Sequence, residues 1–146
     1  MPNRSTPPGG ECGARPPLRI LHLEDDSTDA ELIQIQLRRN GIDCRIVRVA
    51  TRAAYEAALR RPAFDLILSD SSLPAFDGLS ALVMALEKSP GTPFVFVTGH
   101  TSEEAVERAL SQGATDYVFK GDFPRLMRVV QQIRGGAEGD ANRQIV

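Results

Sequence analysis

The sequence predicts a doubly wound α/β fold: a five-stranded parallel sheet in the order 2-1-3-4-5, with helices on both faces. Five short runs rich in branched apolar residues alternate with five stretches of helical character, and parallel strands need long, right-handed crossovers of that kind. The runs are apolar almost throughout, as strands covered on both faces must be. Four of them then finish on polar residues, where a buried strand first meets water. A chain of 146 residues that is 42% hydrophobic suits one domain with a substantial core.

Residues 1–17, MPNRSTPPGGECGARPP, crowd proline and glycine with almost nothing to bury, and are expected to form a disordered leader. The folded domain is assigned to residues 18–134. Leu18–Leu23 (LRILHL) is the first strand. Ser27 or Thr28 then caps a helix through Arg39, stopped by Gly41, with Leu32, Ile33, Ile35 and Leu37 as its apolar stripe. Arg45–Ala50 is the second strand, and Thr51 opens an alanine-rich helix closed by Pro62. The third strand is Asp65–Ser69. After the Asp77-Gly78 turn, Leu79, Leu82, Val83 and Leu86 recur at helical spacing, and Pro93–Thr98 is the fourth strand. Thr101 and Glu104 fit a capping box for a helix that Gly113 ends, and Asp116–Lys120 is the fifth strand. Asp122 caps a last helix whose apolar face is Leu126, Val129, Val130 and Ile133. Gly135-Gly136 then releases a polar tail, residues 135–146.

Composition excludes several classes of function. A formal net charge of -2 offers no general attraction to nucleic acid or to an anionic membrane. No apolar run approaches the roughly 20 residues that span a bilayer, and the N-terminus lacks a signal-peptide core. A soluble, cytoplasmic protein is expected. Cys12 and Cys44 are far apart and lack paired histidines, which leaves them as free thiols.

In doubly wound sheets ligands sit beyond the carboxyl ends of the strands where the strand order reverses, here between the first and third strands. Glu24, Asp25 and Asp26 follow the first strand, Asp70 follows the third, Thr98 closes the fourth and Lys120 the fifth. Several carboxylates at one corner repel one another unless a cation is supplied, and hard oxygen ligands with open positions suit Mg²⁺. Lys120 adds a second positive charge and Thr98 a hydroxyl donor, so this corner would welcome a doubly charged phosphoryl group. Asp26 alone reads as a helix cap.

The motifs LHLEDDS, LILSDSSLPAFDG, FVTGH and DYVFKGD, in that order and spacing, resemble the receiver domain of two-component response regulators. This CheY-like family has a flavodoxin-like fold, and the resemblance covers Leu18 to Arg134. It implies that Asp70 is the phosphoacceptor, with Glu24, Asp25 and Asp70 as metal ligands completed by the backbone carbonyl of Ser72. It implies that Thr98 is the switch hydroxyl, Lys120 the lysine that pairs with the phosphoryl group, and Tyr117 the aromatic that moves between outward and inward positions. Gly99 leaves room for the donor, and Ser72 and His100 stand at positions that tune the lifetime of the aspartyl phosphate. The implied activity is transfer of a phosphoryl group from a histidine kinase or phosphotransfer protein to Asp70 with Mg²⁺, by a signalling domain rather than an enzyme. Output would pass through the surface of the fourth helix, fifth strand and fifth helix, to a protein target or to a second copy in a homodimer.

The sequence departs from the family at Gly121, where most receivers have proline, so the loop after Lys120 is expected to take another path without a cis bond. Ser71 stands where bulkier residues are common. His22, inside a strand, is expected to pack or hydrogen-bond rather than bind metal. Arg125, Arg128 and Arg134 read as a solvated face, and no nucleic-acid partner is expected. With no second domain after Arg134, a stand-alone regulator is expected, the alternative being a module separated from a hybrid sensor kinase. A flavodoxin-like FMN protein would need a first loop rich in glycine, serine and threonine. A magnesium-dependent phosphohydrolase would need a carboxylate where Ser72 stands.

Overall fold

The computed structural model describes residues 16–61, 64–73, 76–99 and 102–143. Most of the expected leader, with Cys12, therefore lies outside the described residues, as do Pro62, His100 and Thr101. Strands β1 (Leu18–Leu23), β2 (Cys44–Val49), β3 (Leu66–Ser69), β4 (Phe94–Thr98) and β5 (Asp116–Phe119) form one sheet in the order β2-β1-β3-β4-β5. Every neighbouring pair is parallel, which is the topology read from the sequence. Helices α1 (Ser27–Arg39), α2 (Arg52–Leu59), α3 (Gly78–Lys88), α4 (Glu103–Ser111) and α5 (Phe123–Arg143) supply the crossovers and the last outer layer.

Alternation of side chains along the strands creates two cores. Leu18 and Ile20 of β1, with Leu66 and Leu68 of β3 and Val95 and Val97 of β4, pack against Ile33 and Leu37 of α1 and Leu126, Val129 and Val130 of α5. The alternate positions, Leu21, Leu23, Ile67, Phe94 and Phe96, meet Tyr55 and Leu59 of α2, Leu82 and Ala85 of α3, and Ala109 of α4. Tyr55 is fully buried, and its hydroxyl donates to the Ala81 carbonyl at 2.7 Å, tying α2 to α3.

Several local expectations need correction. Of the caps expected for α1, Asp26 takes the role and Ser27 and Thr28 do not: its side chain accepts from the N–H groups of Thr28 and Asp29 while its backbone stays extended. Helix α4 is capped by Ser102, which accepts from the Ala105 N–H, one residue after the threonine of the expected box. Helix α2 ends at Leu59, before Pro62. In α1 the buried residues are Ala30, Ile33 and Leu37, whereas Leu32 and Ile35 are exposed. Only one stripe of a helix can face the sheet, and Leu32 and Ile35 fall outside it. Val83 of α3 is likewise exposed, its place in the core taken by Ala81 and Ala85. Helix α5 continues to Arg143, through the glycine pair expected to end it; glycine weakens a helix by about 1 kcal/mol relative to alanine but, unlike proline, removes no hydrogen bond. No helix among the described residues is long and apolar enough to cross a membrane.

Candidate functional site

The sheet ladder runs one residue past its strands on the carboxyl side, and this fixes the polar corner. The Glu24 N–H donates to the Val49 carbonyl at 2.9 Å, the Asp70 N–H to Leu23 at 3.0 Å and the Lys120 N–H to Thr98 at 2.7 Å. Three residues from three strand ends are thus held in register by backbone bonds, before any side chain interacts. Glu24 and Asp70 are buried even so, at 1% and 6% exposure. Asp25 is exposed.

Lys120 supplies the ammonium between them. Its Nζ lies 2.9 Å from Glu24 Oε1, 3.2 Å from Asp70 Oδ2 and 2.6 Å from Asp29 Oδ2. Asp29, in the first turn of α1, is a third partner that the sequence reading missed, because an acid there reads as a response to the helix dipole. Arg48 of β2 is a second omission: its Nε and Nη2 donate to the carbonyls of Glu24 and Asp25, both at 2.9 Å. The acidic loop is thereby held by a guanidinium through its backbone carbonyls. Asp26, for its part, turns its carboxylate to the start of α1.

Burial pushes the Glu24 carboxyl above its ordinary value, an effect opposed by Lys120 and the Asp26 N–H and reinforced by the charge of Asp70. Burial also works against the Lys120 ammonium, but Asp29, Glu24 and Asp70 outweigh it and hold the group charged above its usual range. One ammonium therefore serves three carboxylates, and the corner is short of positive charge. Glu24, Asp25 and Asp70 each offer an oxygen, and these ligand atoms all lie within 4.8 Å of one another. Glu24 Oε1 is buried, with the Lys120 ammonium 2.9 Å away. An oxygen-only set of three carboxylates, two of them buried, fits a hard divalent cation such as Mg²⁺.

Thr98 is fully buried. Its Oγ1 accepts from the Ser71 hydroxyl at 2.8 Å, and Ser71 Oγ is 3.5 Å from Tyr117 Oη. Tyr117 is turned inward, 6% exposed, its ring 5.5 Å from that of Phe96. Gly99 sits against Lys120, whose Cδ would be 3.7 Å from an added Cβ. Ser72 opens a two-residue ladder, Ser72–Leu73 against Phe76–Asp77, that folds the segment after β3 back onto α3. Gly121 has φ +91, a left-handed backbone that favours glycine. His22 is buried with no hydrogen-bond partner at either ring nitrogen; it packs, and it is not among the clustered metal-ligating groups.

Comparison with known proteins agrees with this geometry. The sequence model of the response regulator receiver domain matches residues 20–131. The DNA-binding response regulator MtrA of Mycolicibacterium paratuberculosis is 35% identical over 107 residues, 73% of this chain and 46% of MtrA; the chain spans less than half the length of that relative. Among solved structures, a CheY-like response regulator receiver domain protein from Methanospirillum hungatei JF-1 is 27% identical with a TM-score of 0.72, covering 84% of this chain and 98% of that one. The receiver domain of sensor histidine kinase PA1611 from Pseudomonas aeruginosa PAO1, with magnesium coordinated in its active-site cleft, is 28% identical with a TM-score of 0.70, covering 82% and 99%.

Proposed function

This chain belongs to the response regulator receiver domain family, and from that membership we infer that Asp70 is the residue that takes the phosphoryl group. The observation that carries the reading is the corner itself: two buried carboxylates and one exposed one with their oxygens within 4.8 Å, and a single lysine reaching both Glu24 and Asp70. Glu24, Asp25 and Asp70, with the Ser72 carbonyl, would hold Mg²⁺, which when bound supplies positive charge against the phosphoryl oxygens. An Asp70 carboxylate oxygen forms a bond to phosphorus while the bond from phosphorus to the donor nitrogen, in a phosphohistidine, breaks and the imidazole leaves with the electron pair. Lys120 neutralises the charge that gathers on the transferring group. Gly99, lacking a side chain, keeps the approach open.

Once Asp70 carries about two negative charges in place of one, Lys120 and Thr98 are the groups able to answer by moving. Tyr117 and the α4-β5-α5 surface respond, and the output is recognition of a protein target. A histidine kinase or phosphotransfer protein is the donor. The domain spans residues 18–134, acts as a phosphoacceptor in the cytoplasm, and carries out no turnover on a separate substrate. Likeness to the receiver of a sensor histidine kinase supports a second reading, a receiver module of a hybrid kinase, with the same chemistry at Asp70.

The test is labelling by acetyl phosphate with and without Mg²⁺, read by intact mass for the protein and for Asp70→Asn. One phosphoryl group is expected on the unaltered chain, dependent on Mg²⁺, and none on the variant. Equal labelling of the two, or no labelling of either, overturns the reading.

A further inference from the structure

Arg48 brings a positive charge to a corner that is short of it, yet it bonds no carboxylate there. Both of its bonds go to backbone: Nε donates to the Glu24 carbonyl and Nη2 to the Asp25 carbonyl, each at 2.9 Å. The β1–β2 ladder explains the first. The Glu24 N–H donates to the Val49 carbonyl, and a parallel ladder would next pair the Glu24 carbonyl with the Thr51 N–H. Thr51 has instead turned to cap α2, so the Arg48 guanidinium takes that place and extends the pairing by one rung. Its second bond reaches the next carbonyl along the loop. Both donors belong to one planar fork, which fixes the carbonyls of two consecutive residues relative to each other.

The two residues depend on this hold unequally. Glu24 is held several times over: its N–H donates to Val49, its Oε2 accepts from the Asp26 N–H at 3.1 Å, and its Oε1 lies 2.9 Å from Lys120 Nζ. Asp25 is exposed, and among the described residues Arg48 is the only side chain that bonds it. Even so, Asp25 supplies one of the three carboxylate oxygens that lie within 4.8 Å of one another. Where its side chain starts is set by its backbone, and Arg48 pins that backbone at the carbonyl.

We propose that Arg48 is a positioning residue for the divalent-ion site, a two-pronged clamp whose hold on the acidic loop sets the Asp25 carboxylate toward Glu24 and Asp70. The proposal rests on the reading of those three carboxylates as the Mg²⁺ ligands. Charge and geometry act here with opposite signs. As a bare cation near the site, Arg48 repels Mg²⁺, and its removal would tighten binding; as a clamp it favours the bound ion, and its removal weakens binding. Lysine separates the two again, because it keeps the charge but presents no fork to a pair of carbonyls. Groups that orient metal ligands from behind contribute about 10- to 100-fold in affinity. Arg48 is exposed, which places the effect at the lower end.

Mg²⁺ affinity is measured by calorimetry on the unaltered chain, Arg48→Lys and Arg48→Gln, with thermal melts in EDTA to show that each is folded. Arg45→Gln is the control: it removes an equal charge from the same strand, at an exposed position in register with Arg19. Binding about tenfold weaker is expected in both Arg48 variants, against a change of less than about twofold in Arg45→Gln. Labelling by acetyl phosphate supplies a second readout. With Mg²⁺ well above its Kd, each Arg48 variant should label at about the parent rate, the loss being confined to low Mg²⁺, whereas general damage to the fold would slow labelling at every concentration. Tighter binding by Arg48→Gln, or an Arg48→Lys affinity equal to the parent's, overturns the clamp, as does a slowed labelling that saturating Mg²⁺ fails to repair. Should Arg48→Gln not fold, Arg48→Lys alone decides. An unaltered chain that binds Mg²⁺ but takes no label refutes the phosphoacceptor reading and leaves the affinities to judge the clamp; an unaltered chain that binds no Mg²⁺ overturns the clamp together with the site it serves.

Discussion

Acid should unfold this protein partly through one histidine. His22 lies in β1 in register with Arg48 and Leu68, on the same face of the strand as Leu18 and Ile20, with 1% of its surface exposed. Burial, then the charges of Lys120 and Arg48, lower its pKa from 6.5 to about 4, against weaker opposition from Asp70 and Asp29. The unfolded chain therefore takes up the proton first. The neutral imidazole's contribution is fully present above the ordinary value near 6.5 and is lost as pH falls toward 4. At about 1.4 kcal/mol per pH unit, the loss from this group alone reaches about 2 kcal/mol at pH 5. Urea unfolding followed by circular dichroism, in EDTA to keep metal off the neighbouring carboxylates, should show His22→Leu gaining about that much on the unaltered protein between pH 7.5 and pH 5. At pH 7.5 the variant should already be no less stable, because the two ring nitrogens it removes are buried without partners and such groups cost about 1–3 kcal/mol each. Taking the difference between the two proteins cancels the titration of groups that do not interact with His22. Parallel pH profiles would refute the assignment.

Lys120→Met should leave Glu24, Asp29 and Asp70 facing one another without their shared ammonium. A loss of about 2 kcal/mol is expected in EDTA, discounted from the larger cost of a fully buried broken pair because Lys120 is partly exposed, and Mg²⁺ should restore more stability to this variant than to the parent in a thermal melt. Asp26→Ala should lower stability by about 1 kcal/mol through loss of the α1 cap while leaving Mg²⁺ affinity, measured by calorimetry, within twofold; a large fall in affinity would make Asp26 a ligand. Tyr55→Phe should cost about 1 kcal/mol for the bond to Ala81. Burial raises the Tyr55 pKa, so its contribution is present below the ordinary tyrosine value near 10 and fades above it, and the variant's alkaline unfolding curve should be shallower.

The residues at the strand ends were legible because a strand buried on both faces admits charge only where it reaches the rim. Glu24, Asp70, Thr98 and Lys120 all stand at that boundary, and strand order alone brings them to one corner. Side chains that arrive from elsewhere left no such mark. Asp29 reads as an ordinary acid in a helical first turn, and what selects it is the angle at which α1 leaves the corner, which sets its carboxylate 2.6 Å from a lysine 91 residues later. Arg48 reads as a solvent-facing residue of an edge strand until the β1–β2 register places it opposite His22 and within reach of two carbonyls. The α1 cap stayed open for a related reason: in EDDSTD Asp26, Ser27 and Thr28 all favour the role, and only the backbone turn decides that Asp26 holds it.

The same limit explains Ser71. A serine after a strand-ending aspartate, ahead of proline and Asp-Gly, carries every mark of a turn residue, and nothing in its neighbours names a partner 27 or 46 positions away. What makes it more is the glycine at position 78, whose missing side chain lets α3 close on the Ser71 backbone and leaves its hydroxyl between Thr98 and Tyr117. The Asp-Gly pair thus has two tasks, since Asp77 caps α3 while Gly78 sets the distance between that helix and the strand end. Any side chain at position 78 would have to push the Ser71 backbone aside, and with it both the contact to Thr98 and the adjoining Asp70.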